Sequence, residues 1–223
     1  MDYINIALAK GRLADHTFQL FEQMGLVFLD YHKKSRKLIF ENPDEKIRLV
    51  FVKANDVPVY VERGAADIGI VGKDTLLESG ANVYEVLDLG FGKCKFAVAA
   101  LGEYPIPSDR KIRVATKYPE VAKKYFASRG RSIDIIKLNG SVELAPLVGL
   151  ADVIVDIVET GKTLKENGLV VLENICEVSA RVIANRVSFK TKSNRISKLL
   201  RGFEAILDEM GETENEDHIC KGL

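Results

Sequence analysis

The sequence is poor in cysteine, and Cys94, Cys176 and Cys220 lie far apart along its 223 residues. There is no CxxC pair and no Cys/His cluster, so neither a disulfide framework nor a structural zinc site is indicated. The odd cysteine count suits a reducing compartment. Excess charge is lacking too: Lys+Arg and Asp+Glu each number 32, giving a formal net charge of zero. That balance excludes a generally basic nucleic-acid binder and leaves only local patches. No apolar run approaches the ~20 residues of a membrane span. The apolar-leaning stretch before Lys10 is too short for a signal-peptide core. A cytoplasmic protein with no nucleic-acid and no membrane partner is therefore expected. His16, His32 and His218 are scattered, and no Ser–His or Cys–His pairing marks a nucleophile.

What is present is an ordinary globular composition, 47% hydrophobic and 29% charged, which argues against disorder over most of the chain. The length fits one large domain or two small ones. Strand-like runs at 3–9, 37–41, 47–52 and 67–71 alternate with helical patterns. Leu13, Leu20, Phe21 and Met24 share a helical face closed by Gly25, Asn55-Asp56 precede a helix with Pro58 in its first turn, and 73–79 is a third helix. Strands are expected at 83–89 and 94–101, then a loop at 102–109 carrying Pro105 and Pro107. A βα series follows, with strands at 112–115, 133–138 and 152–158 and helices at 119–129, 142–148 and 160–167. Two more strands, 169–178 and 181–189, lead to a helix at 192–210 and a polar tail that should fray. Such alternation predicts an α/β fold with largely parallel sheets. No Gly/Ser linker or internal repeat breaks the chain. Residues 93–178 read as a second α/β lobe inserted in a first lobe made of 1–92 plus 179–223, with a cleft between them. The alternative is a single continuous sheet.

The sharpest local feature is Asp156-Ile-Val-Glu159-Thr160-Gly161-Lys162-Thr163-Leu164, at the end of an apolar strand. A Thr-Gly-x-Thr turn entering a helix offers backbone N–H groups, two hydroxyls and the positive end of the helix dipole, a set suited to phosphate. Asp156 and Glu159 would face sugar hydroxyls or a metal ion. A capped helix with no ligand is the plain alternative. The Walker A pattern fails, because Asp156 stands where its first glycine is needed. The dinucleotide fingerprint fails as well, since Gly90-Phe91-Gly92 is followed by Lys95 instead of a third glycine. A second feature, Glu62-Arg-Gly64-Ala-Ala-Asp67-Ile-Gly69-Ile-Val-Gly72-Lys-Asp74, places glycines and aspartates about a strand, where Gly69 suggests close backbone approach. Lys10-Gly11-Arg12 and Lys53 each follow a strand and would meet polyphosphate there, or simply be solvated. Phosphate- and hydroxyl-holding elements without a nucleophile favour an enzyme that positions two phosphorylated substrates.

Four stretches together carry a family resemblance: ALAKGRL (7–13), KANDVPVYVERGAADIGIVGKD (53–74), KLNGSVELAPLVGLADVIVDIVETGKTLKENGL (137–169) and SARVIANRVSFK (179–190). The chain resembles the ATP phosphoribosyltransferases, which open histidine biosynthesis. The resemblance implies a two-lobed, type II periplasmic-binding-protein-like α/β fold. It implies attack of the adenine N1 of ATP on the anomeric carbon of phosphoribosyl pyrophosphate (PRPP), with release of pyrophosphate and Mg²⁺ as cofactor. Thr160, Gly161, Lys162, Thr163 and Leu164 match the loop that holds the 5-phosphate of PRPP, and Glu143 is a further candidate there. Asp156, Glu159, Lys10 and Arg12 are the catalytic candidates. Lys10, Arg12, Lys53, Gly72, Asp74 and Arg181 are candidates for the ATP side. With only a polar tail after the last helix, the chain looks like the family's short form, which lacks a C-terminal regulatory domain. That form implies a catalytic-chain dimer in a hetero-oligomer with a regulatory subunit resembling histidyl-tRNA synthetase. Two departures from the family pattern are Ala9, where proline commonly precedes Lys-Gly-Arg, and Lys53, where arginine is common. Lysine keeps the charge but loses the bidentate fork. A non-catalytic solute-binding protein of the same fold, or a phosphoribosyltransferase of another fold acting on a free base, are the competing readings.

Overall fold

The computed structural model describes residues 3–32, 34–102 and 110–220, with side chains described as far as Met210. In chain order the strands are β1 (Ile4–Ala9), β2 (Ile39–Asn42), β3 (Ile47–Val52), β4 (Ile68–Gly72), β5 (Tyr84–Asp88) and β6 (Cys94–Leu101). They continue with β7 (Ile112–Thr116), β8 (Ile133–Lys137), β9 (Val153–Val158), β10 (Leu169–Val178) and β11 (Ala180–Ala184). The helices are α1 (Arg12–Gln23), α2 (Val57–Glu62), α3 (Lys73–Ser79), α4 (Pro119–Ser128), α5 (Leu144–Leu147), α6 (Lys162–Glu166), α7 (Arg186–Thr191) and α8 (Ser193–Cys220). The loop expected at 102–109 lies almost wholly outside the described residues.

The chain divides into two compact units, one of Met1–Thr75, Ala81–Gly92 and Ala180–Leu223, the other of Leu76–Gly80 and Lys93–Ser179. The first holds a six-stranded sheet in the order β2-β3-β1-β4-β11-β5. The second holds a five-stranded sheet in the order β10-β6-β9-β7-β8. This is an α/β fold, as expected, but its sheets are mixed. Among the described residues four strand pairings are parallel and five antiparallel. Only β1, β3, β4, β7, β8 and β9 take part in parallel pairs, and a helix-bearing crossover precedes each return. By contrast β5–β6 and β10–β11 follow one another without a helix.

In the first unit Ile4, Ile6 and Leu8 of β1 pack with Phe21 of α1, Phe40, Leu49 and Phe203 of α8 into one core. Each such buried side chain contributes roughly 1.5–3 kcal/mol relative to exposure. The close approach suspected at Gly69 is made by helix α2. A Cβ there would sit 2.7 Å from Val61 Cγ2 and 2.8 Å from Val57 Cγ1. Strand β11 corrects the expected strand over 181–189. It stops at Ala184 because the Asn185 carboxamide accepts from the Val187 and Ser188 N–H groups, 3.0 and 2.9 Å, and so caps α7. The same side chain donates to the Val61 carbonyl at 2.8 Å, tying α7 to α2. Nearby, the buried Asp67 accepts from Asn5 N, Ser188 Oγ and Lys192 Nζ at 2.9, 2.6 and 2.9 Å. The last helix also outruns expectation: it continues to Cys220, past the Met210 where polar composition suggested an end.

In the second unit Val153, Ile154 and Val155 of β9 are buried on both faces of the sheet, with α4 on one side and α5 and α6 on the other. Its amino end is anchored by Asp152, whose carboxylate accepts from Arg110 Nη1, Arg113 Nη2 and Arg113 N at 2.8, 2.8 and 2.9 Å. The Arg110 hydrogen bond, reinforced by Arg113, holds this carboxyl far below the usual carboxylate range. Its contribution to stability is therefore present above the unfolded-state value and lost as pH falls through the folded one. We expect Gly69→Ala to destabilise the protein by about 1–3 kcal/mol, the usual range for overpacking, read as a lower urea midpoint. An unchanged midpoint would mean that α2 moves away freely. Asp152→Asn should lower the midpoint at pH 7 and narrow the difference between pH 7 and acid, because the group that responds to acid is gone.

Candidate functional site

In the second unit the parallel strands β8, β7 and β9 end on a common edge. Open α/β sheets place ligands beyond the carboxyl ends of such strands. Asp156 sits near this end of β9, paired with Ala97 of β6, and is half-buried. Burial pushes its carboxyl above the ordinary value of 3.8, and the negative charge of Glu143 pushes the same way. The Ile157 N–H and the charge of Lys117 oppose that rise. Glu143, half-buried, occupies the residue before α5. Glu159 and Thr160 are exposed in the turn that follows Val158.

Gly161 then takes a left-handed conformation, φ 73°, ψ 2°, at the N-cap of α6. A Cβ there would meet only Val158 Cγ1 at 3.7 Å, so it is the backbone angle, not space, that calls for glycine. Thr160 Oγ1 accepts from Lys162 N at 3.4 Å. Lys162 and Thr163 are exposed, and Lys162 Nζ lies 3.8 Å from Glu166 Oε1 in a solvent-facing pair worth little. Leu164 differs from its four neighbours in the loop. Its side chain is buried among Ala97, Ala99, Ile154 and Val158, so it anchors the turn and offers only main chain to a ligand.

In the first unit a groove of about 580 Å³ opens at the carboxyl ends of β1 and β3. It is lined by Ala9, Lys10, Leu38, Phe51, Val52, Lys53, Ala54, Asp56 and Tyr60. Apolar and aromatic walls beside two cations suit a ligand with a flat base and phosphates. Lys10 Nζ donates to the Ser35 carbonyl at 2.5 Å and lies 5.6 Å from the Phe51 ring centre. Lys53 is exposed and begins the turn into α2.

The other candidates of this unit lie outside the groove lining. Arg12 opens α1 immediately after Gly11, whose φ of 129° allows the turn. Gly72 leaves room for Asp74: a Cβ at 72 would stand 2.1 Å from Asp74 Oδ1. Arg181 is matched within its own sheet, Nη2 to Asp88 Oδ2 at 2.8 Å and Nη1 to Glu85 Oε1 at 3.4 Å, while Lys73 also pairs with Glu85. Its charge is thereby spent on fastening β11 to β5. Sequence reasoning missed Asp56 and Tyr60, although both fall in the 53–74 stretch at helical spacing, and it missed Lys117 beside Asp156.

The ATP phosphoribosyltransferase family model matches residues 53–205, more than half of the chain. The chain belongs to the ATP phosphoribosyltransferase family. An ATP phosphoribosyltransferase of Oceanobacillus iheyensis is 56% identical over 207 residues, covering 93% of this chain and 100% of that protein. One from Clostridioides difficile is 57% identical over 207 residues, covering 92% and 99%. A chain of the ATP phosphoribosyl transferase (HisG:HisZ) complex from Thermotoga maritima superposes with a TM-score of 0.82 at 35% identity, covering 92% of this chain and 99% of its own. These relatives have no room for a further regulatory domain beyond the matched length. Among the described residues no helix is long and apolar enough to cross a membrane.

Burial of Asp156 carries a stability cost at neutral pH. Its folded value is raised, so its stabilising effect is full below the unfolded value and is lost as pH climbs through the folded one. Asp156→Asn should therefore be at least as stable as wild type at pH 7 by thermal melting, while turnover falls about a hundredfold. A variant that melts earlier and keeps its turnover would remove Asp156 from the site.

Proposed function

We propose that this chain transfers the 5-phosphoribosyl group of PRPP to N1 of the adenine of ATP, releasing pyrophosphate in the first step of histidine biosynthesis. The observation that carries the reading is the half-buried Asp156 followed by the left-handed Gly161 turn, in a chain of this family. In the proposed arrangement the 5-phosphate lies against the Thr160–Leu164 turn, held by the hydroxyls of Thr160 and Thr163, the first N–H groups of α6 and Lys162. ATP occupies the groove of the first unit. Its base lies along Phe51 and Tyr60, and its phosphates meet Lys10 and Lys53. Arg12 and Asp74 are kept as contacts at the rim, and Arg181 as the residue that holds β11 and β5 together.

The chemistry asks for positioning and charge, not for a protein nucleophile. As the bond from the anomeric carbon to pyrophosphate breaks, its electron pair leaves with the pyrophosphate oxygen and the sugar becomes cationic. Asp156 and Glu159, as carboxylates, stabilise that cation and hold the ribose hydroxyls. Adenine N1 then forms the new bond. Among the described residues no three His, Cys, Asp or Glu side chains converge into a dedicated metal cage. Carboxylate oxygens such as those of Asp156 and Glu159 are hard donors, which suit Mg²⁺ shared with substrate phosphates. Asp156 and Glu159 are the residues that would hold it, and bound Mg²⁺ would neutralise charge on the leaving group. A regulatory subunit of the kind found with the Thermotoga maritima neighbour is the proposed partner, in a hetero-oligomer built on catalytic-chain dimers. The cytoplasm is the proposed location.

The deciding experiment supplies the chain with ATP, PRPP and Mg²⁺, with and without the regulatory subunit, and follows pyrophosphate release and the nucleotide product. Pyrophosphate should form only when both substrates are present. Gly161→Ala should raise the KM for PRPP about tenfold by straining the turn, with the KM for ATP little changed. Absence of product under both conditions would overturn the assignment.

A further inference from the structure

We infer that Lys117 is a further PRPP-positioning residue, supplying a cation to the anionic sugar substrate at the shared edge of β7 and β9. The inference deepens the reading above and rests on its placing PRPP beyond the end of β9.

Strand register carries it. Strands β7 and β9 are parallel neighbours with Thr116 opposite Val155, so the residues that follow each, Lys117 and Asp156, come to the same edge. Alternation puts them on the same face as well. Ala115 and Ile154 lie in the core beneath α5 and α6, and the positions two residues further on are Lys117 and Asp156. The turn at Lys117 is held at both ends. Thr116 Oγ1 donates to the Val155 carbonyl at 2.7 Å and accepts from Tyr118 N at 2.8 Å. The Tyr118 ring packs edge-on against Phe96, centroids 4.9 Å apart, within the core. The residue between these anchors cannot slide along the sheet edge.

Its charge is also available. Lys117 is exposed, its ammonium 5.7 Å from the centre of the Tyr118 ring, and among the described residues it forms no ion pair. Lys10 and Lys162, by comparison, already have oxygen partners. A lysine with a fixed backbone, an exposed ammonium and no carboxylate partner, beside a half-buried carboxylate, fits an anionic substrate brought to that carboxylate.

The test is steady-state kinetics of Lys117→Gln, Lys117→Arg and Thr163→Val, each assembled with the regulatory subunit, with PRPP and ATP varied separately. Lys117→Gln should raise the KM for PRPP about tenfold or more, leave the KM for ATP within about twofold, and melt with wild type. Lys117→Arg should recover most of the loss, since a phosphate contact needs the charge. Thr163→Val reads the loop independently. If Thr163→Val weakens PRPP and Lys117→Gln does not, Lys117 has no such role while the loop reading stands. A Lys117→Gln defect shared equally by ATP and PRPP, or one that arginine fails to relieve, overturns the inference too. If neither variant affects PRPP, the loop reading itself falls.

Discussion

A carboxylate kept partly out of water at the end of a buried strand is the constraint on which the second unit turns. The strand and turn around Asp156 fix its place, Lys117 eases its charge, and Glu143 adds to its cost. Val153, Ile154 and Val155 fill both faces of the sheet, so β9 cannot shift register without driving apolar side chains into water. Asp152, four residues earlier, is clamped by two arginines and fixes where the strand begins. Val158 and Leu164 then close the core beneath the turn, which leaves Thr160 to Thr163 raised above it. The two aspartates of one strand thus titrate in opposite senses. Asp152 is held ionised by arginines, whereas burial lifts Asp156. The first fastens the strand, and a raised carboxyl such as that of Asp156 marks a candidate for function.

The first unit solves a different problem, that of bringing cations to a sheet edge without burying them. Lys10 and Lys53 each come directly after a parallel strand, so the strands carry the positional information and the lysines remain in solvent. Glycine makes the surrounding geometry possible in two distinct ways. Gly11 supplies a backbone angle that starts α1 at once, and Gly69 supplies space for α2 to lie against β4. The same helix carries Tyr60 into the groove lining.

Much of this was legible because strand burial writes itself as apolar runs. The bounds of β3, β6 and β10 and of α3 were read to the residue, and the αL turn after β9 was marked by its Thr-Gly pair. The misreadings have physical causes. Arg181 to Phe189 looked like one strand because Val182, Ile183, Val187 and Phe189 are apolar or β-branched. The cap that ends it depends on where the Asn185 side chain points, which no local pattern records. Sheet direction was misjudged because it is set by which distant strands meet. The resemblance offered Arg181 for the ATP side, and its pairing could not be read locally, because its partners Glu85 and Asp88 lie nearly a hundred residues earlier. Lys117 escaped notice for the opposite reason: nothing in the run Ala-Thr-Lys-Tyr-Pro distinguishes it until β9 is laid alongside.

The two units therefore converge on one rule that explains both what was readable and what was not. A lysine that directly follows a parallel strand is delivered to the edge where α/β sheets bind ligands, and its side-chain length lets the charge stay hydrated until an anion replaces the water. Lys10 after β1, Lys53 after β3 and Lys117 after β7 all obey it. Arg181, opposite Val71 on the antiparallel β4, comes to the same edge by starting a strand, but there it is paired with Glu85 and Asp88. Type of residue alone would rank the arginine above the lysines for phosphate, given its planar fork. Pairing reverses that order, because an arginine already satisfied by two carboxylates must break those bonds before it can bind anything. For a substrate as highly charged as PRPP, the useful cations are those the fold has not already given to a carboxylate.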